Sequence, residues 1–360
     1  MSRFVQWGLS VWLLASGPAA FGGAFTSLYA FGDGVCTTTN GPGGPFYHGN
    51  RFCNGRVWIE VLCTRLGITY DANKNWSFFG HYSPNLVTNL QNFTPPADAA
   101  TALFLIWVAD ADFVYAITQY GPYTTNNLAT WTNAINLSLS NHWAALEVLY
   151  QKGARTLIMP NAVDLTRVPF YAGLAVASKT FIRQRIVDFN LQLAALLERA
   201  RQAWPDLRIV APDIFQLLED LVARAADYGL VHALSNGQSV DALSDPALLD
   251  KSLAGPGANY LFWDYLDPSA RAHAVVADVT LQLLSPARIT ALETSGSNHQ
   301  LTLSSLPIGL GGWVDASADL LNWSPGVTVA ATNATETVSC PADQPVRFYR
   351  LRFPFAWSWP

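Results

Sequence analysis

Four short apolar segments constrain what this chain can fold into: Ser27–Phe31, Ala102–Trp107, Thr156–Met159 and Arg208–Ala211. Each is bounded by polar or turn residues, as buried strands are. Helical patterns fill the intervals. One runs from Val57 to Leu66, and another follows Asn133 through Trp143 and Leu149. The clearest places Phe189, Leu193, Leu196, Leu197 and Ala200 on one face at 3.6-residue spacing. A last helix follows Pro268, with Val275, Val276, Val279 and Leu283 turned inward. Strands alternating with helices predict an α/β fold, a parallel sheet between two helix layers. In such a sheet functional residues gather outside the carboxyl ends of the strands. The residues after the first strand and Asp110–Asp112 after the second are therefore expected in one crevice.

The pattern changes after about Pro286. Short alternating segments appear at Gln300–Leu303, Gly312–Asp315, Val327–Ala330 and Val346–Leu351, predicting a small all-β sandwich over 286–360 beside an α/β domain over 25–285. Residues 1–24 read as an export signal. Arg3 supplies the charge, Val5 to Ala15 the apolar stretch, and Ala19, Ala20, Gly22, Gly23 and Ala24 the small residues for cleavage. The stretch is too short to span a bilayer, so the expected location is the periplasm or the outside of the cell. The net charge of −5, with no basic run, argues against nucleic acid or an anionic membrane as partner. Four cysteines fit an exported chain without requiring disulfides. Cys36 and Cys53 could pair, which would contribute roughly 3 kcal/mol. Cys63 falls on a helical apolar stripe and reads as a buried thiol, and Cys340 stands alone.

Phe31-Gly32-Asp33-Gly34 closes the first strand and resembles the Gly-Asp-Ser-Leu signature of the GDSL (SGNH-fold) esterases and lipases. Further blocks follow in the family's order. His48-Gly-Asn-Arg-Phe-Cys-Asn-Gly-Arg-Val-Trp58 is similar to its Arg-Phe-Ser-Asn-Gly-Arg-Xaa-Trp stretch. Gly153-Ala-Arg and Pro160-Asn-Ala-Val-Asp164 resemble a middle segment, and Phe262-Trp-Asp264-Tyr-Leu-Asp267-Pro268 the closing Asp-Xaa-Xaa-His-Pro block. The resemblance covers about residues 25–285 and implies a flavodoxin-like three-layer α/β/α domain. Trp313 to Trp323, with Arg347-Phe-Tyr-Arg-Leu351, resembles a β-module appended to secreted bacterial enzymes.

Ester cleavage by this family needs an attacking serine, a histidine to take its proton, an aspartate to orient the histidine, and donors for the oxyanion. Carried over position by position, the nucleophile is Gly34, the oxyanion asparagine is Ala111, and the histidine is Asp267. Gly80 and Asp264 remain. Loss of a triad serine or histidine removes ~10⁶ in turnover, and loss of an oxyanion donor ~10²–10³. The resemblance therefore implies a family member without its own chemistry: an exported, catalytically silent protein that keeps a ligand-binding crevice and needs no cofactor.

Other readings of the same residues stand beside this one. Asp267-Pro268 has the form of a helix N-cap with proline in the first turn. Glycine at position 34 would relax a strained elbow. Asp33, Asp110, Asp264 and Asp267 form an acidic cluster that could hold a hard cation or share a proton. Cys36 and His81 are candidates for a substitute nucleophile and base in a working ester hydrolase; against that, Cys36 reads as disulfide-bonded and His81 as a loop residue facing water. His273 reads as a surface or packing residue. Trp76, Phe78, Phe79 and Tyr82 beside Gly80 suit an acyl chain or a glycan.

Overall fold

The computed structural model describes residues 25–344 and 346–355. The expected export signal at 1–24 lies outside the described residues. Strands β1 (Leu28–Gly32), β2 (Leu103–Trp107), β3 (Thr156–Ile158) and β4 (Arg208–Val210) form one parallel sheet in the order β1-β2-β3-β4. All residues of β1 and β2 are buried, as an apolar strand covered on both faces must be. All four were legible as apolar runs.

Seven helices cover the sheet: α1 (Trp58–Leu66), α2 (Ser83–Asn92), α3 (Ala109–Gln119), α4 (Leu128–Gln151), α5 (Val176–Ala203), α6 (Ile214–Ala223) and α7 (Ala270–Leu284). Helix α1 packs on α7, while α2 packs on α4 and α4 on α5, giving three layers. Helices α2, α3 and α6 were not anticipated. Three asparagines blur the apolar period of α2, and α3 starts so soon after β2 that the two read as one run. On α7, Leu281 and Leu284 are buried and Leu283 is exposed, one position off the expected stripe.

A short hairpin of β5 (Leu234–Ser235) and β6 (Gln238–Ser239) precedes α7. The C-terminal part holds β7 (Arg288–Ser295), β8 (Asn298–Ser304), β9 (Gly312–Ser317), β10 (Ser324–Val329), β11 (Thr335–Pro341) and β12 (Phe348–Arg352). They form two antiparallel sheets, β11-β8-β7 and β10-β9-β12, with Leu301, Leu303, Val314 and Val329 in a shared core. Strands β7 and β11 escaped the sequence reading because most of their residues are exposed or half-buried.

Two local expectations are corrected. The N-cap of α7 is Ser269, whose side chain accepts from the Ala272 N–H at 3.2 Å; Asp267 does not cap it. Backbone bonds from Trp263 to Asp267 O (2.9 Å) and from Ser269 to Leu261 O (3.1 Å) hold 261–269 as a folded-back loop, so the helix starts two residues later. Cys36 and Cys53 are not bridged; all four cysteines are free and buried. The Cys36 thiol receives the Trp58 indole N–H at 3.3 Å, and the Cys53 thiol donates to Gly55 O at 3.0 Å.

The β module is seated on the end of α1. The Ile308 N–H donates to Arg65 O at 3.0 Å. Gly67, the C-cap of α1, has φ +70, and a Cβ there would lie 2.6 Å from Ile308 Cδ1. Gly67→Ala therefore combines left-handed strain with a clash, and should cost roughly 1–3 kcal/mol in denaturant melts. Ile308→Ala in the same background should recover part of that loss if the clash is real.

Candidate functional site

The carboxyl ends of the strands open onto a cavity of about 310 Å³, the position a parallel sheet dictates. Most of its lining is aliphatic or aromatic. Helix α6 contributes Ile214, Leu217, Leu218 and Leu221, and Trp58 and Val276 come from α1 and α7. None of these six was singled out from sequence as site-lining. The four of α6 fall at i, i+3, i+4 and i+7, so a helical signal was present in the sequence although the helix was not anticipated.

Four of the five positions expected from the resemblance converge. Gly34, Gly80, Ala111 and Asp267 all line this cavity. A Cβ on Gly34 would sit 3.6 Å from Asp267 Oδ1 and 3.4 Å from Phe79. Those are ordinary contacts, so a serine would fit at 34, facing residue 267. Gly34 is outside the left-handed region, so relief of strain does not explain it; Gly80, at φ +76, does require glycine. The chain after α1 sets this arrangement. Trp76 and Phe78 N–H groups bond to Ala30 and Gly32 carbonyls (2.8 and 3.3 Å), and the Gly32 N–H donates to Ser77 Oγ at 2.9 Å. That edge pairing carries Gly80 to the end of β1.

Asp264, expected from the resemblance to be the triad aspartate, does not face into the cavity. Its Oδ1 accepts from the N–H groups of Leu266 (3.0 Å) and Asp267 (2.9 Å), and its Oδ2 from the Tyr47 hydroxyl at 3.1 Å. Asn54 fixes the same loop by accepting from Ala270 N–H and donating to Leu253 O, both at 2.9 Å. Asp112, the last residue of the Ala109–Asp112 block, is structural. It accepts from the Ser83 N–H (2.8 Å) and the Ser138 hydroxyl (2.5 Å), tying α2 to α4.

Cys36 and His81 share no hydrogen bond. Neither lines the cavity, although both touch Gly32: Cys36 packs against its Cα side, and His81 Nδ1 bonds its carbonyl at 2.9 Å. His81 is fully buried, not facing water; it stacks on Phe78 and meets the Asn89 amide at 3.2 Å. Burial pushes the Cys36 thiol well up and the His81 imidazole down to about 4. Both are held neutral, the wrong state for a thiolate–imidazolium pair. His273 is also buried, and it lines the cavity.

The acidic residues are electrostatically unusual. Burial raises the Asp33 carboxyl to about 7, partly offset by the N–H groups of Val35 and Ala111. Burial, with the charge of Asp33, raises Asp110. Burial, then Asp264 and Asp33, raises Asp267. Among the described residues no group of three or more His, Cys, Asp or Glu is placed to hold a metal ion.

Residues 28–280 match the family described as GDSL-like Lipase/Acylhydrolase. Two similar curated proteins come from Arabidopsis thaliana. GDSL esterase/lipase 7 is 24% identical over 280 residues, covering 64% of this chain and 76% of its own. GDSL esterase/lipase At1g73610 is 20% identical over 334 residues, covering 75% and 92%. Among solved structures, an extracellular lipase from Streptomyces rimosus gives a TM-score of 0.43 at 14% identity, covering 72% of this chain and 99% of that one. A phospholipase A1 from Streptomyces albidoflavus gives 0.42 at 14%, covering 72% and 100%.

The buried carboxyls make stability pH-dependent. Asp33 keeps its proton in the fold up to about 7 but loses it near 3.8 when exposed. Between those values folding takes up a proton, so stability falls as pH rises. Asp110, Asp112 and Asp267 act in the same direction. The lowered imidazoles of His81, His142, His232 and His273 act in the opposite direction across the same window. The variant isolates the Asp33 contribution: the melting temperature of the wild type relative to that of Asp33→Asn should fall from pH about 4 to about 7. A difference that rises across this window would contradict the assignment.

Proposed function

We propose that this chain, which belongs to the GDSL-like lipase/acylhydrolase family, is an exported, catalytically silent member that binds an apolar ligand in the inherited crevice. One observation carries the reading: the nucleophile and base positions lie face to face at the cavity and are occupied by Gly34 and Asp267. Neither pair of groups can activate an attacking oxygen. Glycine has no side chain, and a carboxyl kept neutral by burial is a poor proton acceptor.

The predominantly apolar lining suits a ligand with an apolar chain: Leu217, Leu218, Leu221 and Val276 supply aliphatic surface beside the rings of Trp58 and Phe79. The working-hydrolase alternative through Cys36 and His81 has no support in the geometry, because the two residues are unpaired and outside the cavity. Export rests on the order of charge, apolar run and small residues in 1–24. Among the described residues no helix is long and apolar enough to cross a membrane.

The purified protein should leave a short-chain aryl ester at its background rate of hydrolysis. Gly34→Ser combined with Ala111→Asn and Asp267→His should create measurable turnover, since a side chain at 34 has room and would face residue 267. Each of Gly34→Ser and Asp267→His alone should stay near background, because the groups act as a unit. Wild-type turnover that survives Cys36→Ala and His81→Ala would overturn the silent reading.

A further inference from the structure

The cavity holds carboxyl groups that no cation answers. Asp33 follows β1, Asp110 lies in the first turn of α3 and Asp267 precedes α7; none is more than 7% exposed. No lysine or arginine lines the cavity. None of the three carboxyls belongs to an ion pair among the described residues; the acidic partners of the buried arginine pairs lie elsewhere, at Glu60, Asp164, Asp278 and Asp315. The groups crowd one another, since the charge of Asp33 acts on both Asp110 and Asp267. Such a cluster normally acquires basic neighbours or is replaced by apolar residues.

His273 supplies an independent sign of a missing partner. It is 2% exposed, lines the same cavity from α7, and its Nδ1 is buried with no hydrogen-bond partner. Burial holds the imidazole neutral, with its pKa lowered to about 3, so one ring nitrogen can accept a hydrogen bond. A buried polar atom left unsatisfied costs free energy that a ligand can restore.

We propose that the cavity takes an amine carrying an apolar chain, with its ammonium among Asp33, Asp110 and Asp267 and one N–H directed to His273. This deepens the apolar-ligand reading above and rests on it. The chain would lie against α6 and α7, and the head would bring the charge that the site lacks. An ammonium offers up to three N–H donors, which suits carboxylate and imidazole acceptors. Binding ionises a carboxyl that was neutral, so a proton is released to solvent as the cation enters. A fatty-acid carboxylate would meet carboxyl groups with no counter-charge, and an alcohol would gain the apolar contacts alone.

The test uses the full chain and three probes of equal chain length: decylamine, decanol and decanoate, measured by calorimetry. At pH about 8, decylamine should bind at least ~10-fold more tightly than decanol, and decanoate most weakly. Asp267→Asn should lower decylamine affinity about tenfold and leave decanol binding unchanged. Asp33→Asn serves the same purpose should the first variant fail to fold. Decylamine binding should weaken as pH falls from about 8 to about 5, because protons compete with the cation for Asp33, Asp110 and Asp267. Decanol or decanoate binding as tightly as decylamine would overturn the amine assignment while the apolar pocket stands. No binding by any of the three would overturn both readings.

Discussion

Burial of Asp33, Asp110 and Asp267 around one apolar cavity, with no basic side chain to neutralise them, is the constraint on which the rest of the site depends. The parallel sheet creates it. Strands β1 and β2 are adjacent and in register, so the segments leaving their carboxyl ends must meet. The loop before α7 closes the third side, pinned by the bonds that Asp264 accepts from Leu266 and Asp267. A sheet organised in this way would hold a catalytic triad equally well. Here the same geometry brings Gly34 together with the carboxyls of Asp33, Asp110 and Asp267.

The positions that the family resemblance would make catalytic serve different ends. Asp264 forms a turn, and Asp112, in the same block as Ala111, ties α2 to α4. Gly34 leaves the space a serine would need, with contacts no closer than 3.4 Å. The cavity beside it is lined largely by aliphatic and aromatic side chains, as ligand pockets are.

His81 and Cys36 show why spacing alone misleads. Both sit within a few residues of retained motif positions, and both reach Gly32. Their side chains point into the core, where burial removes the charge that a nucleophile–base pair requires. His273, read as a surface or packing residue, is buried and lies at the cavity. It lies on the buried stripe of α7 with Val276, and only the position of the preceding loop turns that stripe toward the crevice.

The sequence by itself determined the α/β architecture, the four parallel strands and the change to antiparallel strands near residue 286. These are local properties: runs of apolar side chains, their period, and motifs in order along the chain. Helices α2 and α3 and strands β7 and β11 were hidden because polar residues or an adjoining strand masked their period, whereas α6 carries a clear apolar period that the sequence reading passed over. Only the tertiary structure decided that the Cys36 and Cys53 thiols are unpaired, that Ser269 caps α7, and that α6 walls the crevice. It alone decided that Asp33, Asp110, Asp267 and His273 share one low-dielectric space. Contacts between segments up to 240 residues apart set the burial of each group, and burial, not sequence neighbours, sets its charge state.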